Sequence, residues 1–207
     1  VDIKIVIGLL FGGILSAFAQ QDSLSKPHFK SYTEKIIASI YYSDISNSFD
    51  VKPANSSSAD YLEFKPNKRE QIGVNLSYRF IDFSIGYSPS FFEENKDNEN
   101  SKLLRLNTRF YHKKWMQSIL FINQTGFYVS QGDIELYFED LRTTKIGGTT
   151  SYIFNDNFSF RTIANQKEWQ SKSAGSFIPN FSFYYTQFDL NDEADANKSD
   201  IFLISLS

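Results

Sequence analysis

The sequence predicts an all-β protein, specifically an antiparallel up-and-down transmembrane β-barrel. Three observations carry that expectation. Apolar and polar residues alternate with a period of two along most of the chain, the mark of strands whose faces meet different surroundings. Aromatic residues make up 17% of the 207 residues, with 21 Phe, 12 Tyr and 2 Trp, and such side chains fit pleated surfaces better than helices. Tight turns also alternate with long polar connections, as in barrels with a short-turn rim and a long-loop rim.

The N-terminus supplies the compartment. An apolar run from Ile5 to Leu15 follows Lys4 and leads to Ala17-Phe18-Ala19, the small-x-small pattern of a signal peptide over residues 1–19. The run is shorter than the roughly 20 residues that cross a bilayer as a helix. No later stretch is apolar enough to do so, and membrane residence would therefore require a barrel. The chain has no cysteine, which excludes a lipid-anchored N-terminus, a disulfide framework and thiolate zinc sites. Residues 20–34 are polar and read as a flexible periplasmic lead-in, leaving 35–207 for the barrel domain.

Three short strands are expected near 35–42, 48–53 and 60–65. The clearest alternation follows: Ile72, Val74, Leu76, Tyr78 and Phe80 interleave with Gly73, Asn75, Ser77 and Arg79. Phe83, Ile85 and Tyr87 come next after a very tight joint at 79–82, which makes the two strands a hairpin. A strand over Leu104 to Phe110 turns at 112–114 into one over Trp115 to Phe127. Ile146 to Phe154 alternates up to an Asn155-Asp156-Asn157 turn, and Phe158, Phe160, Thr162 and Ala164 are expected to form the returning strand. Residues 176–189 and 200–206 complete the set. Long polar loops are expected at 88–101, 128–142 and 166–175.

In this arrangement Asn75, Arg79, Arg105, Asn107, Arg109 and Arg161 face the lumen. Tyr78, Phe80, Tyr87, Phe110, Tyr152 and Phe154 supply interfacial girdles. The alternative is a soluble periplasmic β-sandwich binding protein with the apolar faces turned inward. The chain opens on Val1 and ends at Ser205-Leu206-Ser207 inside an alternating strand. Bacterial barrels have an even strand number, so a C-terminally truncated barrel of about 12 or more strands when complete is expected.

A family resemblance rests on particular segments. Gln170-Ser171-Lys172-Ser173-Ala174-Gly175-Ser176, preceded by Asn165-Gln166-Lys167-Glu168-Trp169, has the Q-x-x-S-A-G-S pattern. Lys65-Pro66-Asn67, Gly126-Phe127-Tyr128, Tyr152-Ile153-Phe154-Asn155 and Phe158-Ser159-Phe160-Arg161 agree with it in order. Over residues 41–206 the chain resembles the Bacteroidetes family called domain of unknown function 4421. The resemblance implies an outer-membrane compartment and a barrel, and it implies no reaction. Members of the family are longer, which agrees with truncation.

No catalytic, cofactor-binding or metal site is expected. His28 lies in the lead-in and His112 in a short turn. The serine loop 171–176 is placed on the opposite rim, too far for a serine–histidine dyad, so an outer-membrane acyl hydrolase is the least favoured reading. Ser173, Gly175 and Ser176 lack a nucleophile elbow's glycine pattern. They read as a tight loop in which Gly175 is free to take positive φ, with Gln166, Gln170 and Lys172 tying it to strand ends or plugging the lumen. Arg79, Arg105, Arg109 and Arg161 are either an anion-selective constriction or ligand site, or a salt-bridged interior with Asp82 among the partners. The salt-bridged interior is preferred, because narrow barrels fill with such pairs. The acidic stretch 93–99 lacks calcium-loop spacing. The net charge of -3, with no basic stripe, argues against nucleic acid. The expected partners are outer-membrane lipid and, during insertion, the barrel-assembly machinery. The expected role is a non-enzymatic solute-binding or porin-like protein, or a structural membrane subunit.

Overall fold

The computed structural model describes residues 28–51, 61–92, 101–131, 134–189 and 198–207. The expected signal peptide, most of the lead-in and the acidic stretch 93–99 lie outside the described residues. The chain is all-β, with twelve antiparallel strands and one short helix among these residues. In order they are β1 (Phe29–Ser31), β2 (Ile37–Asp44), β3 (Phe49–Val51), β4 (Leu62–Pro66), β5 (Glu70–Tyr78), β6 (Ile81–Tyr87), β7 (Lys102–His112), β8 (Trp115–Gln131), β9 (Ile134–Tyr152), α1 (Phe160–Ala164), β10 (Glu168–Gln170), β11 (Asn180–Asp189) and β12 (Lys198–Leu206).

One meandering sheet holds most of them, in the order β12-β11-β9-β8-β7-β6-β5-β2, with β3 and β4 attached through β8. Neighbouring strands run antiparallel in long unbroken registers, for example Ile72↔Tyr87 to Tyr78↔Ile81. A closed barrel is not seen among the described residues, where β2 and β12 are edges without a sheet partner on one side. The turns after β5 and β7 are two residues long. Each opens on a non-glycine residue in the left-handed region, Arg79 (φ 48°) and Lys113 (φ 52°). These turns define a short-turn end of the sheet.

The alternation in the sequence sorts the two faces of this sheet by chemistry. On one face Ile40, Ile72, Val74, Leu76, Phe83, Ile85 and Phe202 stand exposed, Ile85 at 42% and Ile40 at 75%. On the other, Gln71, Ser77, Asp82, Gln124, Thr143 and Ser151 are buried. A soluble sheet puts these the other way round.

Three expectations are corrected. Residues 158–164 form helix α1 and its lead-in instead of a strand. The free edge of β9 is already taken by β11, from Asn180↔Ser151 to Asp189↔Arg142, so 158–164 has no place in the sheet. Ser159 caps the helix, its Oγ accepting from Thr162 N at 3.2 Å, which is the N-cap preference for a short hydroxyl. The long loop expected at 128–142 is a continuation of β8 and β9, paired from Phe127↔Phe138 to Gln131↔Ile134. This extension is held by a small aromatic core of Phe64, Phe127, Val129 and Leu141, with Phe49, Leu62 and Phe138 packed on it. Finally, part of the polar lead-in is ordered, because β1 pairs with β10 from Phe29↔Gln170 to Ser31↔Glu168.

Candidate functional site

The connection 153–179 joins β9 to β11 at the short-turn end, because the two strands pair directly. Ile153 N donates to Lys114 O (2.8 Å) and Phe154 N to Phe177 O (3.3 Å). The Lys114 ammonium pairs with Asp156 at 2.8 Å, a bond that holds the ammonium's pKa above its ordinary value. This corrects the placing of the serine loop. It lies at the same end of the sheet as His112, with Asn155 N donating to Ser176 Oγ (3.0 Å) and Asn155 Nδ2 to the Gly175 carbonyl (2.7 Å).

From this end α1 and the residues after it lie against the polar face. Asn165 Nδ2 donates to both Asp82 oxygens, at 2.8 and 3.0 Å. Tyr111 OH donates to Asp82 Oδ2 at 2.8 Å. The Lys167 ammonium is fully buried, donates to the Lys35 carbonyl and lies 6.0 Å from the Tyr78 ring centre. Burial pushes its pKa down. Tyr32 N donates to the Lys167 carbonyl at 2.8 Å, which ties in the lead-in as well. Asn165→Asp should set a second carboxylate against Asp82 and release this segment. The expected result is faster tryptic cleavage after Lys167, and a cleavage rate equal to that of the unaltered chain would refute the latch.

Between α1 and the sheet lies a cavity of about 370 Å³. Its sheet wall carries Ser39, Tyr41 and Ser43 of β2, Asn75 and Ser77 of β5, Asp82 and Ser84 of β6, and Arg105, Asn107 and Arg109 of β7. Ile163 to Gln166 form its cover. Tyr41 lies across Gly73 and Gly86, where an added Cβ would meet its side chain at 2.3 and 2.6 Å. The two glycines make room for the ring, an arrangement that protects a bare backbone in a sheet.

The structure divides the four candidate arginines. Arg105 and Arg109 line the cavity. Arg79 sits in the β5–β6 turn, its Nε 3.2 Å from Glu34 Oε2. Arg161 lies at the short-turn end, its guanidinium 4.9 Å from the Tyr111 ring centre, 3.9 Å from Glu168 Oε1 and donating to the Arg79 carbonyl. The expected pairing of the lumen arginines with Asp82 is not formed, because Asp82 bonds to Tyr111 and Asn165. Among the described residues neither Arg105 nor Arg109 has an ion-pair partner.

The loop residues have structural positions. Gln170 accepts from Ser159 N (2.9 Å) and donates to the Asn157 carbonyl (2.7 Å) and the Lys172 carbonyl (2.9 Å), bracing the start of α1. Ser176 Oγ donates to the Phe177 carbonyl at 2.9 Å. Ser173 is exposed. Gly175 does not take positive φ, which corrects that expectation, and a Cβ there would meet nothing within 4 Å. Gln166 takes the left-handed conformation instead, at φ 56°. Sequence reasoning missed Tyr41, Tyr111, Asn165 and Lys167. An aromatic in a strand carries no mark of such a role.

The segments that carried the resemblance meet in space as two groups. Lys65-Pro66-Asn67 joins Gly126-Phe127-Tyr128 through the pairs Lys65↔Tyr128 and Pro66↔Phe127. Tyr152-Ile153-Phe154-Asn155 joins Gly175 and Ser176 through Asn155. A family model described as domain of unknown function (DUF4421) matches residues 21–204. No curated protein and no solved structure matches the chain.

Proposed function

The chain belongs to the DUF4421 family, a domain of unknown function, and from that premise we propose that it is an outer-membrane β-barrel protein that holds a small solute in a polar interior closed at one end. The observation that supports this most is the inverted sheet. Its apolar face is exposed and its polar face is buried, the distribution a bilayer demands and water penalises. The soluble sandwich would need that apolar face covered. Aromatics cluster where the strands end: Trp115, Tyr152, Phe154 and Phe177 follow one another at ring separations of 4.7, 5.0 and 5.8 Å at the short-turn end. Tyr42 and Phe92 meet at 5.6 Å at the other. Two such belts suit the two interfaces of a membrane. Export, a Bacteroidetes outer membrane and closure of the sheet belong to the same proposal.

The cover made by α1 favours solute holding over an open pore. Electrophoresis of the full-length protein from an outer-membrane fraction tests the reading. The unboiled sample is expected to migrate faster than the boiled one, as closed barrels do in cold detergent. An unshifted band from a periplasmic fraction would overturn the proposal.

A further inference from the structure

We infer that the cavity under α1 binds a small carboxylate that also carries hydroxyl groups, an acidic monosaccharide such as a uronate. The inference deepens the proposed function and rests on it for the setting of the site. Its volume of about 370 Å³ lies at the small end of ligand sites, which run from about 300 to 1,000 Å³. Arg105 and Arg109 stand on the same face of β7, four residues and therefore about 13 Å apart along the strand, with Asn107 between them. Neither has an ion-pair partner among the described residues. Asp82, the cross-strand neighbour of Arg109, has both oxygens engaged by Asn165. Two guanidinium groups in a covered site favour an anion, and a planar carboxylate matches the fork of either.

A second observation narrows the class. Neutral hydrogen-bonding side chains stand beside the arginines: Asn75 Nδ2 lies 3.4 Å from Ser39 Oγ across β5 and β2. Both residues line this cavity. A hydroxyl and a side-chain amide each donate and accept, so their complement is a group that does the same. An inorganic anion presents chiefly acceptors, whereas a sugar acid offers a carboxylate to an arginine and hydroxyls to Asn107, Asn75 and Ser39. Tyr41 and Ile163 add apolar surface for the face of a sugar ring.

Calorimetric titration of the full-length protein, folded in detergent, with glucuronate, glucose and inorganic phosphate tests this. Glucuronate is expected to bind about tenfold or more tightly than either other probe, and Arg105→Gln to lose about tenfold, as removal of a charged hydrogen bond does. Asn107→Leu should weaken glucuronate binding. Phosphate binding as tight as glucuronate would overturn the requirement for hydroxyls, and with it the inference. Absence of glucuronate binding in a sample that still shows the cold-detergent band shift would overturn the ligand and leave the barrel standing. The band shift in the same sample thus separates the two failures.

Discussion

Arginine in place of Ile85 is expected to cost the folded protein about 2–4 kcal/mol in a bilayer, the depth-dependent penalty for a cation on the lipid face of a barrel. Ile85 sits in the middle of β6, paired with Val74 on one side and Leu106 on the other. It is 42% exposed. If that face met water, a surface change of this kind would move stability by only about 0.5 kcal/mol. Tyr87→Arg, two residues on at the end of the strand, is expected to cost about 0–1 kcal/mol, because charge near the interface is tolerated. The measurement is denaturant titration of folding into lipid vesicles. Equal stability of Ile85→Arg and the unaltered protein would remove the membrane reading, and a graded loss between positions 85 and 87 would support it.

Gly126→Ala is expected to destabilise the fold by about 2–5 kcal/mol. About 1–2 kcal/mol of this is the cost of forcing an L side chain to positive φ. Gly126 sits at φ +89° in β8, where the register with β9 shifts between Thr125 and Phe127. A further 1–3 kcal/mol, roughly, is overpacking, because a Cβ there would stand 2.3 Å from Ser101 Oγ and 3.0 Å from Asn67 Nδ2. Those two atoms are themselves hydrogen-bonded at 2.8 Å, and Asn67 N donates to the Gly126 carbonyl at 3.1 Å. The bulge is therefore where β4 is attached to the long β8–β9 extension. Adding Ser101→Gly to Gly126→Ala should recover the packing part and leave the conformational part. A double-mutant cycle on denaturant unfolding reads that split. A cost for Gly126→Ala below about 0.5 kcal/mol, the range of ordinary surface changes, would mean that the bulge does not need its glycine.

The interior was legible in part. Period-two alternation marked Arg105, Asn107 and Arg109 as sharing the polar face, and they do line one cavity. It also assigned Arg79 and Arg161 to that face, and both lie instead at the short-turn end. A turn ends the alternation at Arg79, and Arg161 belongs to a helix, where the period no longer holds. The segment Phe158 to Ala164 alternates well enough to be read as a strand. What prevents it is β11, whose residues lie some twenty positions further on and occupy the edge of β9. The stretch 128–142 reads as a long polar loop for a similar reason. The residues that make it worth extending the strands, Phe49 and Phe64, come from elements more than sixty positions earlier.

What the sequence determined by itself is therefore what depends on neighbours one or two residues apart: most strands of the large sheet, their two faces, and the tight turns after β5 and β7. Each follows from the geometry of an extended chain, in which successive side chains point to opposite sides. Tertiary structure alone decided which edges were free, which end of the sheet the 153–179 connection lies on, and that α1 covers a cavity carrying Arg105 and Arg109. Those outcomes turn on pairings between distant segments, and a pairing already made excludes another in a way that local alternation does not record.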